Sequence, residues 1–249
     1  MERFSRLIQL IGNEKINILR EKKVTVAGLG AVGGFAAEAL ARCGIGCLTL
    51  VDFDLIEVSN INRHIGALDS TVGRAKVDVM GERIKDINPL CAVNKINIFA
   101  DKDSFDTIFA EKPDMVIDAI DSIGPKADLL AYCFANKIPV VSSMGAALKK
   151  DPSKIKIADI SETDVCPLAS KLRSYLKKKG ITEGVTVIFS TEPAIKTGLA
   201  RNLEEETESS GTRERVKKIL GSYPIVTAMF GLYAAHAAIK TFTDDWRHR

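Results

Sequence analysis

Short apolar runs alternate with segments of helical period along the first 150 residues, and each run is bounded by turn residues. The runs at 24–27, 47–51, 93–99, 115–118 and 139–143 are rich in β-branched residues and predict strands. Between them, residues 32–42, 72–86, 103–110 and 125–135 predict helices. The second of these stops before Asn88-Pro89, and the third opens on Asp103 as a cap. Residues 2–20 predict two short helices separated near Gly12-Asn13, with Asn13 capping the second. Strands alternating with helices predict an α/β protein with a doubly wound, mostly parallel sheet. A ligand then belongs at the C-terminal ends of the strands.

The pattern changes beyond residue 150. Residues 155–160 and 185–190 alternate like strands of a half-exposed sheet, predicting an additional antiparallel portion. Between them lies a basic helix over 169–179. Residues 193–215 carry no clear period and read as a mobile loop. The stretch 224–239 is apolar nearly throughout but shorter than the ~20 residues a membrane span needs. It reads as a buried core or dimer helix, with peripheral membrane contact as the less favoured alternative.

One turn gives the first half its chemistry. Val24-Thr25-Val26-Ala27 feeds Gly28-Leu29-Gly30-Ala31-Val32-Gly33, and a small-residue helix follows. This is the Gly-x-Gly-x-x-Gly spacing in its strand–turn–helix context, so the fold expected is Rossmann-like. Gly28 permits the tight turn, Gly30 lets phosphates approach the backbone, and Gly33 lets the helix sit close to the sheet. The whole chain, 1–249, is then one nucleotide-binding domain. Residues 1–22 form an N-terminal helical arm, 23–150 the nucleotide-binding core, and 151–249 the sheet extension with its loop and C-terminal helix.

Composition narrows this little. The formal net charge of +3 does not by itself imply nucleic-acid binding. Five cysteines without a Cys-x-x-Cys pair argue against a structural zinc site and fit free thiols in a reducing cytoplasm. The N-terminus has no signal-peptide apolar region.

Acids and cations gather at the predicted strand ends. Asp52, 24 positions after Gly28, suits a ribose hydroxyl. Asn60, Arg63 and Lys76 add groups where a triphosphate needs neutralising, and Asp121 could hold a divalent ion against it. A nicotinamide enzyme has no need of this second ring. Singly, each has a plainer reading: Lys76 as a solvated helix residue, Arg63 as a brace to Asp54 or Glu57, Asp118 and Asp121 as helix caps.

Taken together, Gly28–Gly33, Asp52-Phe53-Asp54, Ser59-Asn60-Ile61-Asn62-Arg63, Val72-Gly73 with Lys76, Asn88-Pro89 and Asp118-Ala119-Ile120-Asp121 resemble the ubiquitin-activating-enzyme-like superfamily. Its members adenylate a carboxylate with Mg-ATP. Within it the chain most resembles the tRNA threonylcarbamoyladenosine dehydratases. The resemblance runs through Arg3-Phe4-Ser5-Arg6, the residues from Ile117 to Ser122, Pro125-Lys126, the residues from Ser142 to Ala147, and Pro167-Leu168-Ala169 with Leu172-Arg173. The paired zinc cysteines common in sulfur-carrier-activating relatives are missing.

The resemblance implies that ATP activates the carboxylate of threonylcarbamoyladenosine at position 37 of tRNA. The carbamoyl nitrogen then closes a hydantoin ring, and AMP and pyrophosphate leave. It also implies a nucleotide site of Gly28, Gly30, Ala31, Gly33, Asp52, Asp54, Ser59, Asn60, Arg63, Lys76, Asp121 and Ser122. Asp52 would hold the ribose, Asn60, Arg63 and Lys76 the phosphates, and Asp121 Mg2+ directly or through water. A monovalent cation, Na+ or K+, is left open. In a homodimer Arg6, with Arg3 second, would reach the partner's ATP, so Arg6 joins Arg63, Lys76 and Asp121 as the expected catalytic set.

Departures from the family pattern are Ala31, where a glycine is common, His64, where glutamine is frequent, and Cys166, where an aspartate is usual. Ala31 is tolerable only with negative φ. A catalytic role for Cys166 is set aside, because the cyclisation needs no thioester. His236 reads as a core residue. The basic helix (Lys171, Arg173, Lys177, Lys178, Lys179) and Arg213, Arg215, Lys217 and Lys218 could contact tRNA phosphates or simply form solvated faces. The alternatives are an adenylyltransferase for a ubiquitin-like sulfur carrier, a nucleotide-binding adaptor working with a sulfur-transfer protein, and last a dehydrogenase.

Overall fold

The computed structural model describes residues 2–195 and 220–243. Its strands are β1 (Lys23–Ala27), β2 (Cys47–Val51), β3 (Ala92–Ile96), β4 (Met115–Asp118), β5 (Val140–Ser143), β6 (Ile155–Asp159) and β7 (Thr186–Ser190). They form one seven-stranded sheet in the order β3-β2-β1-β4-β5-β7-β6. All neighbours are parallel except β6 and β7. The mostly parallel sheet with an antiparallel end is therefore as expected. After β1 the chain winds outward through β2 and β3, then returns to lay β4 on the other side of β1. That reversal opens a crevice at the carboxyl ends of β1 and β4.

Helices cover both faces. α2 (Asn13–Glu21), α3 (Gly33–Arg42), α4 (Lys76–Ile87) and α8 (Pro224–Thr243) bury apolar side chains on one face, against Val24, Val26, Leu48, Met115 and Ile117. On the other, α5 (Phe105–Ile108), α6 (Ile123–Ala135) and α7 (Pro167–Lys177) pack over Val51, Val116, Val187 and Phe189. The alternation of facing residues along each strand serves both layers. α1 (Ser5–Ile11) buries none of its residues, and its Leu10 is 81% exposed.

Several local expectations are corrected. α4 begins at Lys76, four residues later than the pattern suggested, because residues 72–74 form a turn, with Gly73 at φ +84°, that pairs through the backbone with Ile56. β3 ends at Ile96, well short of Phe99. Asn13 is the first residue of α2 and makes no cap bond; Gly12 occupies the cap. Asp103 does not cap its helix either: the turn before α5 is closed by Ser104 Oγ, which accepts the Asp101 N–H at 2.9 Å. α6 starts two residues before Pro125, which the first turn tolerates because an N–H there has no helical partner. α7 runs from Pro167 rather than 169. β7 is not half-exposed, since it lies between β5 and β6 and is covered on both faces.

α8 is 20 residues long, so length alone does not exclude a span. Its sequence is accounted for by packing: a Cβ on Gly231 would lie 2.3 Å from the Val32 carbonyl oxygen at the start of α3. His236, expected in the core, lies on the exposed side of this helix. Most of the loop at 193–215, and the cluster Arg213, Arg215, Lys217 and Lys218, lie outside the described residues.

Candidate active site

The glycine turn is built as its spacing requires. Gly28 has φ +87°, and a Cβ there would meet the Ala119 carbonyl oxygen at 2.8 Å, across the β1–β4 crevice. A Cβ on Gly33 would lie 1.8 Å from the Gly28 carbonyl oxygen, so only glycine lets α3 start there. Around Gly30 the space is open, with nothing within 4 Å of a Cβ position. That opening at a helix N-terminus is where a phosphate can approach. Ala31 keeps φ out of the positive region, so the missing glycine costs the turn nothing.

Asp52, at the end of β2, ties this turn to the next segment. Its Oδ2 accepts the Leu29 N–H at 2.6 Å and its Oδ1 the Asp54 N–H at 2.8 Å. Burial pushes its carboxyl above the usual range, and the nearby Lys76 charge pulls it back down. Lys76 is 7% exposed, not a solvated helix residue. Its Nζ donates to Asp54 Oδ2 at 2.7 Å and stands 3.8 Å from Asp52 Oδ1. The Lys76 N–H donates to the Asp54 carbonyl at 3.1 Å, which locks the start of α4 to the end of β2. An ammonium has three donors, so one aspartate leaves capacity for a phosphate.

The loop between β2 and α4 carries Ser59, Asn60 and Arg63. Asn60 Oδ1 accepts the Glu57 N–H at 3.2 Å, and Ser59 Oγ donates to Glu57 Oε2 at 3.1 Å. Arg63 donates to the Ser59 carbonyl at 2.6 Å and to Asn62 Oδ1 at 3.0 Å, rather than bracing Asp54 or Glu57. Its charge is therefore held in place without being cancelled.

Asp121 is exposed just past β4, and Ser122 Oγ donates to its Oδ1 at 3.3 Å. No group of three or more metal-type side chains occurs among the described residues. A lone exposed carboxylate fits Mg2+ brought in by phosphates, since Mg2+ keeps waters and needs few protein ligands. Arg6 is exposed on α1, while Arg3 caps α4 by donating to the Ile87 carbonyl at 2.5 Å.

Two features were not legible as site elements in the sequence. Asp118 does not open into the crevice: it is fully buried, and its Oδ2 accepts from Lys126 Nζ and from Ser142 Oγ, each at 2.6 Å. Its Oδ1 accepts the Ile120 N–H at 3.1 Å, bracing the loop to Asp121. His64 is likewise buried. Its surroundings and the Lys76 charge lower its pKa to about 4. Cys166 is buried beside Gly145, and no histidine bonds to it among the described residues.

The His64 shift predicts a pH dependence. Below pH 6.5 the unfolded chain protonates this residue, whereas the folded protein keeps it neutral down to about 4. The unfolded state binds the extra proton, so stability falls as pH drops through that window, by up to about 3 kcal/mol. Asp52, shifted up, opposes this over the carboxylate range below. Thermal melts from pH 7 to 5 should show the loss, and His64→Gln should remove most of it.

Comparison with known proteins decides the family. The ThiF family pattern matches residues 4–248. The chain belongs to the ThiF family. Within this family it is 40% identical over 251 residues to the tRNA threonylcarbamoyladenosine dehydratase of Escherichia coli, covering 96% of this chain and 92% of that protein. The crystal structure of that E. coli enzyme, TcdA, in complex with ATP superimposes with a TM-score of 0.84, covering 97% of this chain and 93% of that one. The same enzyme has been solved with AMP. The E. coli molybdopterin-synthase adenylyltransferase is 37% identical, but over 153 residues, or 60% of its length. This ThiF protein therefore belongs to the dehydratase branch of the family.

Proposed function

We propose that this protein uses ATP to dehydrate threonylcarbamoyladenosine at position 37 of tRNA to its cyclic hydantoin form. The observation that carries this reading is the joining of the glycine turn, Asp52, Asp54 and Lys76 at the crevice, in a chain that matches a dehydratase over nearly its whole length.

A carboxylate oxygen is a poor leaving group until it becomes a phosphate ester. The substrate carboxylate attacks the ATP α-phosphate, and pyrophosphate leaves. The carbamoyl nitrogen then attacks the acyl carbon and expels AMP, so one water is lost overall. Such a reaction needs fixed cations and donors more than a protein nucleophile. Asp52 holds the ribose, and Gly30 and Ala31 face the phosphates with Ser59 and Asn60 beside them. Arg63 and Lys76 offset the charge that builds on the leaving pyrophosphate. Asp121, positioned with Ser122, would hold Mg2+, which would supply further charge neutralisation at the phosphates.

The enzyme acts as a homodimer in this reading. Support comes from α1, which only half-buries Leu7, Ile8 and Ile11 and leaves Leu10 exposed in the single chain, and from Phe53, Leu55, Val58 and Ile61, exposed beside the site. Arg6 would then serve the partner's nucleotide. Exposed Lys171, Lys177 and Lys178 on and after α7 offer charge to tRNA phosphates. Five free cysteines fit a reducing cytoplasm.

The test is mass spectrometry of nucleosides from tRNA incubated with the protein and Mg-ATP. Threonylcarbamoyladenosine should lose one water, with equimolar AMP. The adenylyltransferase likeness sets the competing outcome: no change in tRNA, but ATP–pyrophosphate exchange with a carrier ending in Gly-Gly.

A further inference from the structure

His64 holds an unspent hydrogen-bond donor against the glycine turn. It is 4% exposed, and its Nδ1 accepts the Gly66 N–H at 2.9 Å. An accepting Nδ1 in a neutral ring places the proton on Nε2. Yet Nε2 is buried with no hydrogen-bond partner. A buried donor left unmade is costly, so its place needs a reason.

The reason lies in what the ring faces. Nε2 lies 3.8 Å from the Cβ position of Gly34, and the Leu29 carbonyl oxygen is 3.6 Å from that same point. The carbonyl is near enough to favour a proton on the ring, but no hydrogen bond closes. Leu29 already gives its N–H to Asp52. Neither the Leu29 carbonyl nor the Gly30 N–H has a backbone partner among the described residues. These two groups belong to one planar trans peptide and point in opposite directions. Whatever holds the Leu29 carbonyl therefore aims the Gly30 N–H, and the space beside Gly30 is the open one.

We propose that His64 is a positioning residue for the nucleotide: its Nε2–H engages the Leu29 carbonyl as ATP binds and turns the Gly30 N–H onto the phosphates. Asp52 grips one side of Leu29 and His64 the other, so the turn is set from two elements. The Gly66 bond fixes the ring from behind, in the same loop that carries Asn60 and Arg63. The inference rests on the nucleotide reading of the site but not on the identity of the acceptor substrate.

Two variants separate this role from simple packing. Asparagine can keep the acceptor for the Gly66 N–H but cannot reach Leu29, whereas glutamine places an amide donor near the Nε2 position. ATP affinity by calorimetry, with melts of the nucleotide-free proteins as a folding control, reads the difference. His64→Asn should fold and bind ATP about tenfold more weakly, as loss of one buried hydrogen bond implies. His64→Gln should stay within about threefold of the parent. In the parent protein labelled on glycine nitrogen, the Gly30 amide signal should shift on adding ATP, and in His64→Asn that shift should shrink. Parent-like affinity in His64→Asn, or equal weakening in both variants, overturns the proposal. If the parent itself fails to bind ATP, the functional reading fails instead; if it binds ATP but leaves tRNA unchanged, only the substrate assignment falls.

Discussion

Lys76→Ala should reduce ATP-dependent dehydration of tRNA by about a hundredfold to a thousandfold, the scale on which a preorganised charge acts in a transition state. Lys76 is buried, tied through its backbone to Asp54 and through Nζ to the Asp54 carboxylate. Nothing else on α4 can replace its charge at that point. Arg63→Ala should behave similarly in activity while leaving the fold intact, because among the described residues Arg63 bonds only within its own loop. The two differ in stability. Removing Lys76 leaves Asp52 and Asp54 facing each other without their cation, so that variant should also melt lower. Single-turnover assays beside melts of the nucleotide-free proteins check both parts, and parent-like rates in either variant would contradict the assignment.

The second large effect is on the fold. Lys126 and Asp118 each have fully buried side chains and pair at 2.6 Å. Lys126→Met would leave a carboxylate in the interior with only Ser142 and the Ile120 N–H to satisfy it. Breaking a buried pair by removing one partner costs about 3–5 kcal/mol. Denaturant titration should show a loss of that size, and adding Asp118→Asn should recover part of it. The loop to Asp121 leans on this pair, so Mg-ATP binding in Lys126→Met should weaken beyond what unfolding explains. A stability within about 1 kcal/mol of the parent would refute the bracing role.

The first half of the fold was legible because its signals are local. Apolar runs, the glycine spacing and the Asn88-Pro89 stop each specify their own segment. Asp121 could be singled out because it falls just past a strand, and Arg63 and Lys76 because they add cations to the polar segment that follows β2. What the sequence hid depends on distant partners. Asp118 looks like Asp52 in the sequence, each ending an apolar strand. Burial against Lys126, from a helix eight residues on, makes one structural while the other stays at the crevice. The exposed His236 and the buried β7 turned on which face α8 and β6 cover, which periodicity alone does not state. His64 carried a signal in its departure from the family pattern. Its orphaned Nε2 appears only once the loop folds back on α3.

The central claim is that the crevice activates a carboxylate by joining it to AMP. Substrate tRNA carrying a heavy-oxygen label in the threonylcarbamoyl carboxylate tests it most directly, with the products read by mass spectrometry. The account predicts one labelled oxygen in the phosphate of AMP and none in pyrophosphate. Release of ADP with label in inorganic phosphate would contradict it.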